Sequence, residues 1–336
     1  MRGFRRLQGF SLIELMIGVA LGLLILAALT TFFVSSSSAR NEIERTSRQI
    51  ENGRFAIDAL RNEIHLAGFY AEILQTGAAW QMPDPCGVTL ADMGFRLDPA
   101  PAFLPLPISG YAADGAIPGC LTDWVKGTDV LVIRRFNTEP VPVAGAPANQ
   151  FYFQPSRCKT DSNAKPWAFD SGGNAGVFNL HKVDCAALAD LYRMRVTVFY
   201  LRSWSFTAGE NPQIPTLVKL DLDGGVMTVI PLVEGIQDMR LEYGMDTNGD
   251  GTPDEFRRCD AAKPCTPAEW INVTTVRVSV LAVNHEDTVG YVDDKTYDMG
   301  SGDAAAPRVV GPFKDLRRRH IYAAVVSAPN RTGPKE

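Results

Sequence analysis

The feature that most constrains this chain is an apolar run near its amino terminus. Leu15 to Val34 is a stretch of twenty residues without a charged side chain. At 1.5 Å per residue, a helix of this length spans about 30 Å, the thickness of the hydrocarbon core of a bilayer. A helix satisfies its own backbone polar groups in lipid, so the run predicts a membrane-spanning helix with its membrane part at about 12–34.

A single acid stands at the start of this run. Glu14 follows the junction Gly9–Phe10, and three arginines occur among the first six residues. A charge at membrane depth costs roughly 2.5–3.5 kcal/mol on insertion scales, which indicates that Glu14 has a functional role. The arginines predict that the amino terminus stays in the cytoplasm and that the rest of the chain lies outside.

Two ordinary explanations fit the amino terminus less well. A secretory signal has a shorter apolar region and a small-residue cleavage site, whereas this run continues into Ser35–Ser38 without an A-x-A pattern. A plain membrane anchor explains the length and the arginines, but neither Gly9–Phe10 nor Glu14.

The amino terminus resembles the type IV prepilin signal. This resemblance implies that a prepilin peptidase cuts between Gly9 and Phe10, removing residues 1–9 as a leader, and that Phe10 is then N-methylated. It also implies that Glu14 is needed for assembly, where it pairs with the terminal amine of a neighbouring subunit. Two opposite charges in an apolar bundle relieve each other's burial cost.

Helix-forming residues continue beyond the membrane run, without proline, to about Leu66. Isoleucines recur every seven residues in this stretch, at Ile43, Ile50, Ile57 and Ile64. This amphipathic stripe predicts one long helix over 10–70 whose second half packs on a globular head, with Gly53 as its weak point.

The rest of the chain, 71–327, predicts an antiparallel β-sheet head, and the fold class is therefore α+β. Runs of apolar and β-branched residues predict strands at 130–133, 193–201, 217–222, 226–232, 240–243, 273–283 and 321–326. Asp223-Gly224-Gly225 predicts a hairpin turn between two of them. The segment of about 80–190 is rich in proline and glycine and predicts a large irregular insertion, and 328–336 predicts a loose tail.

Six cysteines in a chain that is predicted to be exported favour disulfides over a metal site. They allow fifteen full pairings, and some could instead be reduced core residues. Sequential pairing is favoured because each pair flanks an irregular stretch: Cys86–Cys120, Cys158–Cys185 and Cys259–Cys265.

An acidic loop has spacing similar to a calcium loop. Its candidate ligands are Asp246, Asn248, Asp250, the carbonyl of Thr252, and Asp254. The twelfth position of an EF-hand needs a glutamate, but Arg257 stands there, and no helices are predicted on either side. The alternative is a connection between strands that is held by Asx turns. Calcium is the one cofactor that the sequence suggests, and both alternatives stay open.

Other functional classes lack support. The net charge of −5 becomes −8 without the three leader arginines, which is unfavourable for nucleic-acid binding. The basic cluster Arg317–His320 precedes an apolar run and predicts a solvated strand start rather than a phosphate site. No nucleotide-binding or hydrolase motif is present, so we expect no enzymatic activity.

Several blocks beyond the amino terminus are similar to PilW-type minor pilins of the type IV pilus. They are Gln49–Ile57 with its continuation to Tyr70, Leu232–Gly244 with the acidic loop, Val273–Leu281, and the arginine-rich closing strand. The segment 80–190 has no such similarity. The resemblance implies a pilin-like fold and a minor subunit that helps to initiate pilus assembly near the tip.

The same resemblance implies partners and a location. The partners would be prepilin peptidase, other minor pilins, the major pilin, the inner-membrane assembly machinery and a large tip adhesin. The chain would cross the inner membrane once with its head in the periplasm, and would then move to the pilus and cell surface. Two alternatives remain, a minor pseudopilin of type II secretion and a membrane-anchored adhesive module.

Overall fold

The computed structural model describes residues 11–71, 78–98, 101–300 and 308–331. The chain divides into two compact units, Met1–Arg48 and Gln49–Glu336. The whole predicted leader, residues 1–9, lies outside the described residues, and so does Phe10, so the predicted cleavage site is not described.

One long helix dominates the amino-terminal part, as predicted. The α-helices are α1 Leu12–Leu66, α2 Lys159–Ala164 and α3 Pro267–Trp270. Helix α1 has 55 residues and contains no break at Gly53. It ends before Gly68, whose φ of +74° is the left-handed conformation that glycine adopts readily at a helix end.

The head is built from short and long strands. They are β1 Ala79–Gln81, β2 Phe103–Pro105, β3 Ile108–Tyr111, β4 Val130–Phe136, β5 Phe151–Pro155, β6 Trp167–Ser171, β7 Tyr192–Arg202, β8 Thr216–Asp223, β9 Val226–Glu234, β10 Ile236–Met245, β11 Glu255–Arg257, β12 Val273–Val283, β13 Tyr297–Asp298, β14 Val309–Val310 and β15 Arg319–Ser327. All seven predicted strands are confirmed within these bounds. Asp223 pairs with Val226, which leaves Gly224 and Gly225, both with positive φ, as the two-residue hairpin turn.

Two antiparallel sheets form the framework of the head. A seven-stranded sheet has the order β3-β4-β7-β5-β6, with β8 pairing with β7 and β9 pairing with β8. A four-stranded sheet has the order β11-β10-β12-β15. The predicted antiparallel arrangement is confirmed for both sheets, while the small pair β1 and β2 is parallel.

The carboxy-terminal part of α1 packs into a core that both sheets share. Ala56, Leu60 and Ile64 are completely buried, and Ile57 is nearly so. They meet side chains from both sheets, such as Leu131, Phe199, Leu241, Val278 and Val326. Burying a side chain such as Leu60 contributes about 1.5–3 kcal/mol, so this stripe holds the helix on the head. The predicted stripe is confirmed at Ile57 and Ile64, whereas Ile50 is 37% exposed and Ile43 is 71% exposed.

The segment 80–190 is more regular than expected. It contributes strands β3 and β4 to the seven-stranded sheet, and β5 pairs with β7 of the same sheet. Its aromatic side chains build a second core, in which Phe136 stacks on Phe95 and on Phe153 at centroid distances of 5.4 and 4.8 Å. The segment is therefore not irregular throughout, because β3, β4, β5 and β6 all belong to the seven-stranded sheet.

The first residues of the predicted loose tail, Ala328 to Arg331, are held on the head. Ala328 is completely buried, and its backbone N–H donates to the carbonyl of Thr274. The Asn330 amide donates to the carbonyl of Ala67 at 3.2 Å, just beyond the end of α1. The remaining residues, 332–336, lie outside the described part of the chain.

Candidate functional site

The acid that marks the amino terminus lies in the first turn of α1. Glu14 Oε2 accepts a hydrogen bond from the backbone N–H of Ser11 at 3.1 Å, and Ser11 Oγ accepts one from the N–H of Ile13 at 3.4 Å. These two side chains satisfy backbone donors that a helix start leaves unpaired, although Ser11 accepts from Ile13 and not from Glu14, as a full capping box requires. The S-x-x-E spacing before an apolar run could have predicted this arrangement, but our sequence analysis missed it.

Glu14 is exposed in the chain. Within the described residues, only one of its oxygens has a hydrogen-bond donor, and that donor belongs to the neighbouring turn. The carboxylate therefore has capacity for a further donor or a cation. Its position near the helix amino terminus suits a negative charge, because the helix dipole is positive there.

The apolar part of α1 has the length and composition of a membrane span. Its most apolar 18-residue window has a mean hydropathy of 2.6 and buries none of its residues within the chain, and it is the one such helix among the described residues. Two threonines in this part satisfy their hydroxyls locally: Thr30 Oγ1 donates to the carbonyl of Leu26, and Thr31 Oγ1 donates to that of Ala27. These two hydroxyls therefore need no hydrogen-bond partner from lipid or from a neighbouring helix.

The block that begins at Gln49 attaches α1 to the head. Gln49 is 7% exposed, and its amide donates to the carbonyls of Ala282 and Arg318, both at 2.9 Å. Asn52 donates to the carbonyl of Glu234 at 3.1 Å. These two amides bind backbone oxygens of both sheets, so they hold the part of the helix that begins at Gln49 on the head.

Gly53 allows a close approach between α1 and the four-stranded sheet. A Cβ atom at this position would lie 2.2 Å from two ring carbons of Tyr322 in β15. Any larger residue would therefore displace the ring. The glycine that looked like a weak point of the helix is the point where the sheet packs against it.

A buried ion pair fastens the end of the helix to β4. Arg135 Nε donates to Glu63 Oε2 at 2.8 Å, and the two side chains are 10% and 17% exposed. Breaking a buried pair leaves an uncompensated charge, which is strongly destabilising.

The acidic loop is held by its own hydrogen bonds. Asp246 is 1% exposed, and its carboxylate accepts the backbone N–H groups of Gly249 at 2.6 Å and Gly251 at 3.0 Å. Asn248 donates to Asp254 Oδ1 at 3.0 Å. This pattern is the one expected for a connection built from Asx turns.

Further bonds involve the remaining candidate ligands. Thr252 donates to Asp250 through its hydroxyl and its backbone, which lowers the pKa of that carboxyl. Bonds from Thr247 lower the pKa of Asp254 in the same way. Among the described residues, no group of three or more histidine, cysteine, aspartate or glutamate side chains is arranged to hold a metal ion. The calcium hypothesis stays a prediction.

The structure pairs the six cysteines in sequence order, as the sequence analysis favoured. Its disulfides are Cys86–Cys120, Cys158–Cys185 and Cys259–Cys265, with sequence separations of 34, 27 and 6 residues. Closing such loops removes conformational freedom from the unfolded chain, and the effect grows with loop length.

The basic cluster Arg317–His320 does lead into a strand, but Arg319 is not solvated. Its side chain is 2% exposed, and it pairs with Asp293 at 2.8 Å and with Asp315 at 2.6 Å. The bonds from Arg319 lower the pKa of Asp315. The prediction of a solvated start was therefore wrong for Arg319, which ties the connection before β15 to the sheet.

Comparisons with known proteins bear on both ends of the chain. Residues 198–330 match the family described as Type IV Pilus-assembly protein W, PilW. Residues 4–30 match the prokaryotic N-terminal methylation motif. No curated protein matches this sequence significantly.

A solved structure of a type IV-like pilin from Thermus thermophilus is also similar. The alignment has 10% sequence identity and a TM-score of 0.38, and covers 84% of this chain and 97% of the other. A TM-score of this size does not by itself establish a shared fold.

Proposed function

We propose that this chain, a type IV pilin-like protein with a PilW domain, is a minor subunit that helps to initiate pilus assembly and lies near the pilus tip. The observation that carries the proposal is the combination of two matches in one chain. The methylation motif covers the start of the apolar helix, and the PilW match covers β10, β12 and β15 of the head.

The proposal includes a path through the membrane. A prepilin peptidase would cleave between Gly9 and Phe10, and Phe10 would be N-methylated. The chain would cross the inner membrane once with its head in the periplasm, and would then be extracted into the pilus. The three leader arginines and the apolar length of α1 support this orientation.

Glu14 would act in assembly through its charge. An exposed carboxylate at the start of α1 can pair with the amine at the amino terminus of a neighbouring subunit. Such a pair replaces two isolated charges in an apolar bundle with one neutral contact. The role is structural, and the partners would be other minor pilins, the major pilin, the assembly machinery and a tip adhesin.

Deletion of the gene, followed by complementation, tests this function. Surface pili and protein secretion are scored with wild type, Glu14→Ala and Glu14→Gln. Gln keeps the hydrogen-bond acceptor for Ser11 but lacks the charge, since glutamine also serves in a capping box. We expect wild type alone to restore pili.

Three results would contradict the proposal. Unchanged piliation in the deletion strain would exclude a role in the pilus. Loss of secretion with normal pili would assign the chain to type II secretion. Full restoration by Glu14→Gln would show that Glu14 acts only as a helix cap.

A further inference from the structure

Strand β15 forms one edge of the four-stranded sheet, and beyond the buried Arg319 at its start it contains no bulge or proline that would prevent further pairing. Its ladder with β12 runs from Ser327 opposite Thr275 to Arg319 opposite Val283 without a register shift. Residues 320–327 contain no proline, no glycine and no charged group other than His320. Within the described part of the chain, no strand pairs with the other side of β15. An edge of this kind presents a row of unpaired backbone donors and acceptors.

The other long edge strand of the head, β9, has features that prevent pairing with another chain. Strand β9 is an edge of the seven-stranded sheet, but it contains Pro231, which has no N–H to donate. Its pairing with β8 also shifts register between Leu217 and Val218. Proline and bulges are the features by which proteins protect sheet edges from other chains. The head therefore protects one long edge and leaves the other open.

We propose that the open edge of β15 accepts an extended strand from the head of a neighbouring pilin-type subunit. This inference rests on the proposed function, because it needs subunits that assemble side by side. Backbone hydrogen bonds provide the attraction in such strand addition, and alternate side chains provide the specificity. Ala323 and Val325 are exposed on one face of the strand, and Val325 is 60% exposed. The incoming strand should carry apolar side chains at the positions beside them.

Charge at the amino end of β15 favours a different subunit over a second copy. Arg317 and Arg318 precede the strand; Arg317 pairs with Asp287 at 3.5 Å, and the Arg318 side chain is exposed. A second copy in parallel pairing would place the same arginines side by side. Antiparallel pairing centred on Ala323 would place the segment around Ser327 and Pro329 of the second copy beside these arginines, and this segment has no carboxylate. A partner strand that is flanked by aspartate or glutamate would complement these arginines.

Crosslinking in the native cell tests the contact directly. A photoreactive phenylalanine analogue replaces Val325 in the full chain, and Val226 serves as a matched control, because it is 59% exposed on the protected edge β9. We expect position 325 to crosslink at least ten times more than position 226, to a strand of another pilin-type subunit. Equal crosslinking at both positions, crosslinks to a second copy, or crosslinks to a non-strand segment would each overturn the proposal.

A second test uses lysine, which blocks strand addition at edges. The variants Val325→Lys and Val226→Lys are introduced into the deletion strain, and near-ultraviolet circular dichroism checks that both fold. We expect at least a tenfold loss of surface pili with Val325→Lys and no loss with Val226→Lys. If deletion itself leaves pili unchanged, the proposed function fails. If deletion abolishes pili but Val325→Lys restores them fully, the strand-addition inference alone is overturned.

Discussion

The contact between Gly53 and Tyr322 gives the sharpest prediction about how the helix is held. An alanine at position 53 should destabilise the head when Tyr322 is present and should stabilise it when Tyr322 is replaced by alanine. The sign changes because the substitution has two opposite effects, one on helix propensity and one on packing against β15.

Both effects have known sizes. Glycine in a helix interior is less favourable than alanine by about 1 kcal/mol, so Gly53→Ala gains that amount locally. The new Cβ would lie 2.2 Å from the Tyr322 ring, where ordinary contacts begin near 3.4 Å. The ring must then retreat by roughly 1 Å, and overpacking of this kind costs about 1–3 kcal/mol. We expect a net loss of up to about 2 kcal/mol with Tyr322 present.

The assay is urea denaturation of the full chain in detergent, followed by near-ultraviolet circular dichroism. It compares wild type, Gly53→Ala, Tyr322→Ala and the double variant, which together form a double-mutant cycle. Coupling of about 1–3 kcal/mol is expected for residues in direct contact. If Gly53→Ala stabilises the protein equally in both backgrounds, the close approach of helix and sheet does not exist.

Three further predictions concern the head. Burial raises the pKa of Asp238 from 3.8 to about 6, in spite of the neighbouring Arg240. Between these two pH values the folded state therefore keeps a proton on Asp238 that the unfolded chain has lost. The free energy of unfolding should therefore fall by up to about 3 kcal/mol as the pH rises from about 4 to above 6. Urea titrations across this range should show a smaller fall for Asp238→Asn. An equal pH dependence of the two proteins would contradict the raised pKa of Asp238. Asp246→Ala should cost about 1–3 kcal/mol in the same assay, because Gly249 and Gly251 lose their acceptor, and an unchanged free energy of unfolding would show that water replaces it. Millimolar calcium should raise the melting temperature if the acidic loop binds it, and an unchanged temperature would leave the Asx-turn alternative.

Local sequence patterns predicted the strands well where the strand residues are β-branched and glycines indicate the turns. Val273–Val283 has the predicted bounds, and Gly224 and Gly225 form the predicted turn. The strands of the segment 80–190 were harder to predict, because β3, β5 and β6 have only four or five residues each. Strands of this length acquire their stability from partners such as β7, which lies far away in the sequence.

For a similar reason, the sequence predicted only part of the candidate site. Glu14 stands out in the sequence because a charge is rare in an apolar run. The sequence marked Gly53 only as a weak point of the helix and gave Gln49 and Asn52 no role of their own, since an amide in a helix is ordinary. Their roles depend on backbone oxygens and a ring that come from residues 234–322, and no local pattern contains that information.

The sequence by itself determined the apolar helix, the acid at its start and the antiparallel strands. These features follow from local periodicity, from the cost of charge in lipid and from chain connectivity. Tertiary structure alone decided that the segment 80–190 joins the main sheet, that Arg319 is buried with two carboxylates, and that β15 is left as an open edge. The physical reason is that burial, ion pairing and edge position are properties of neighbours that are distant in the chain.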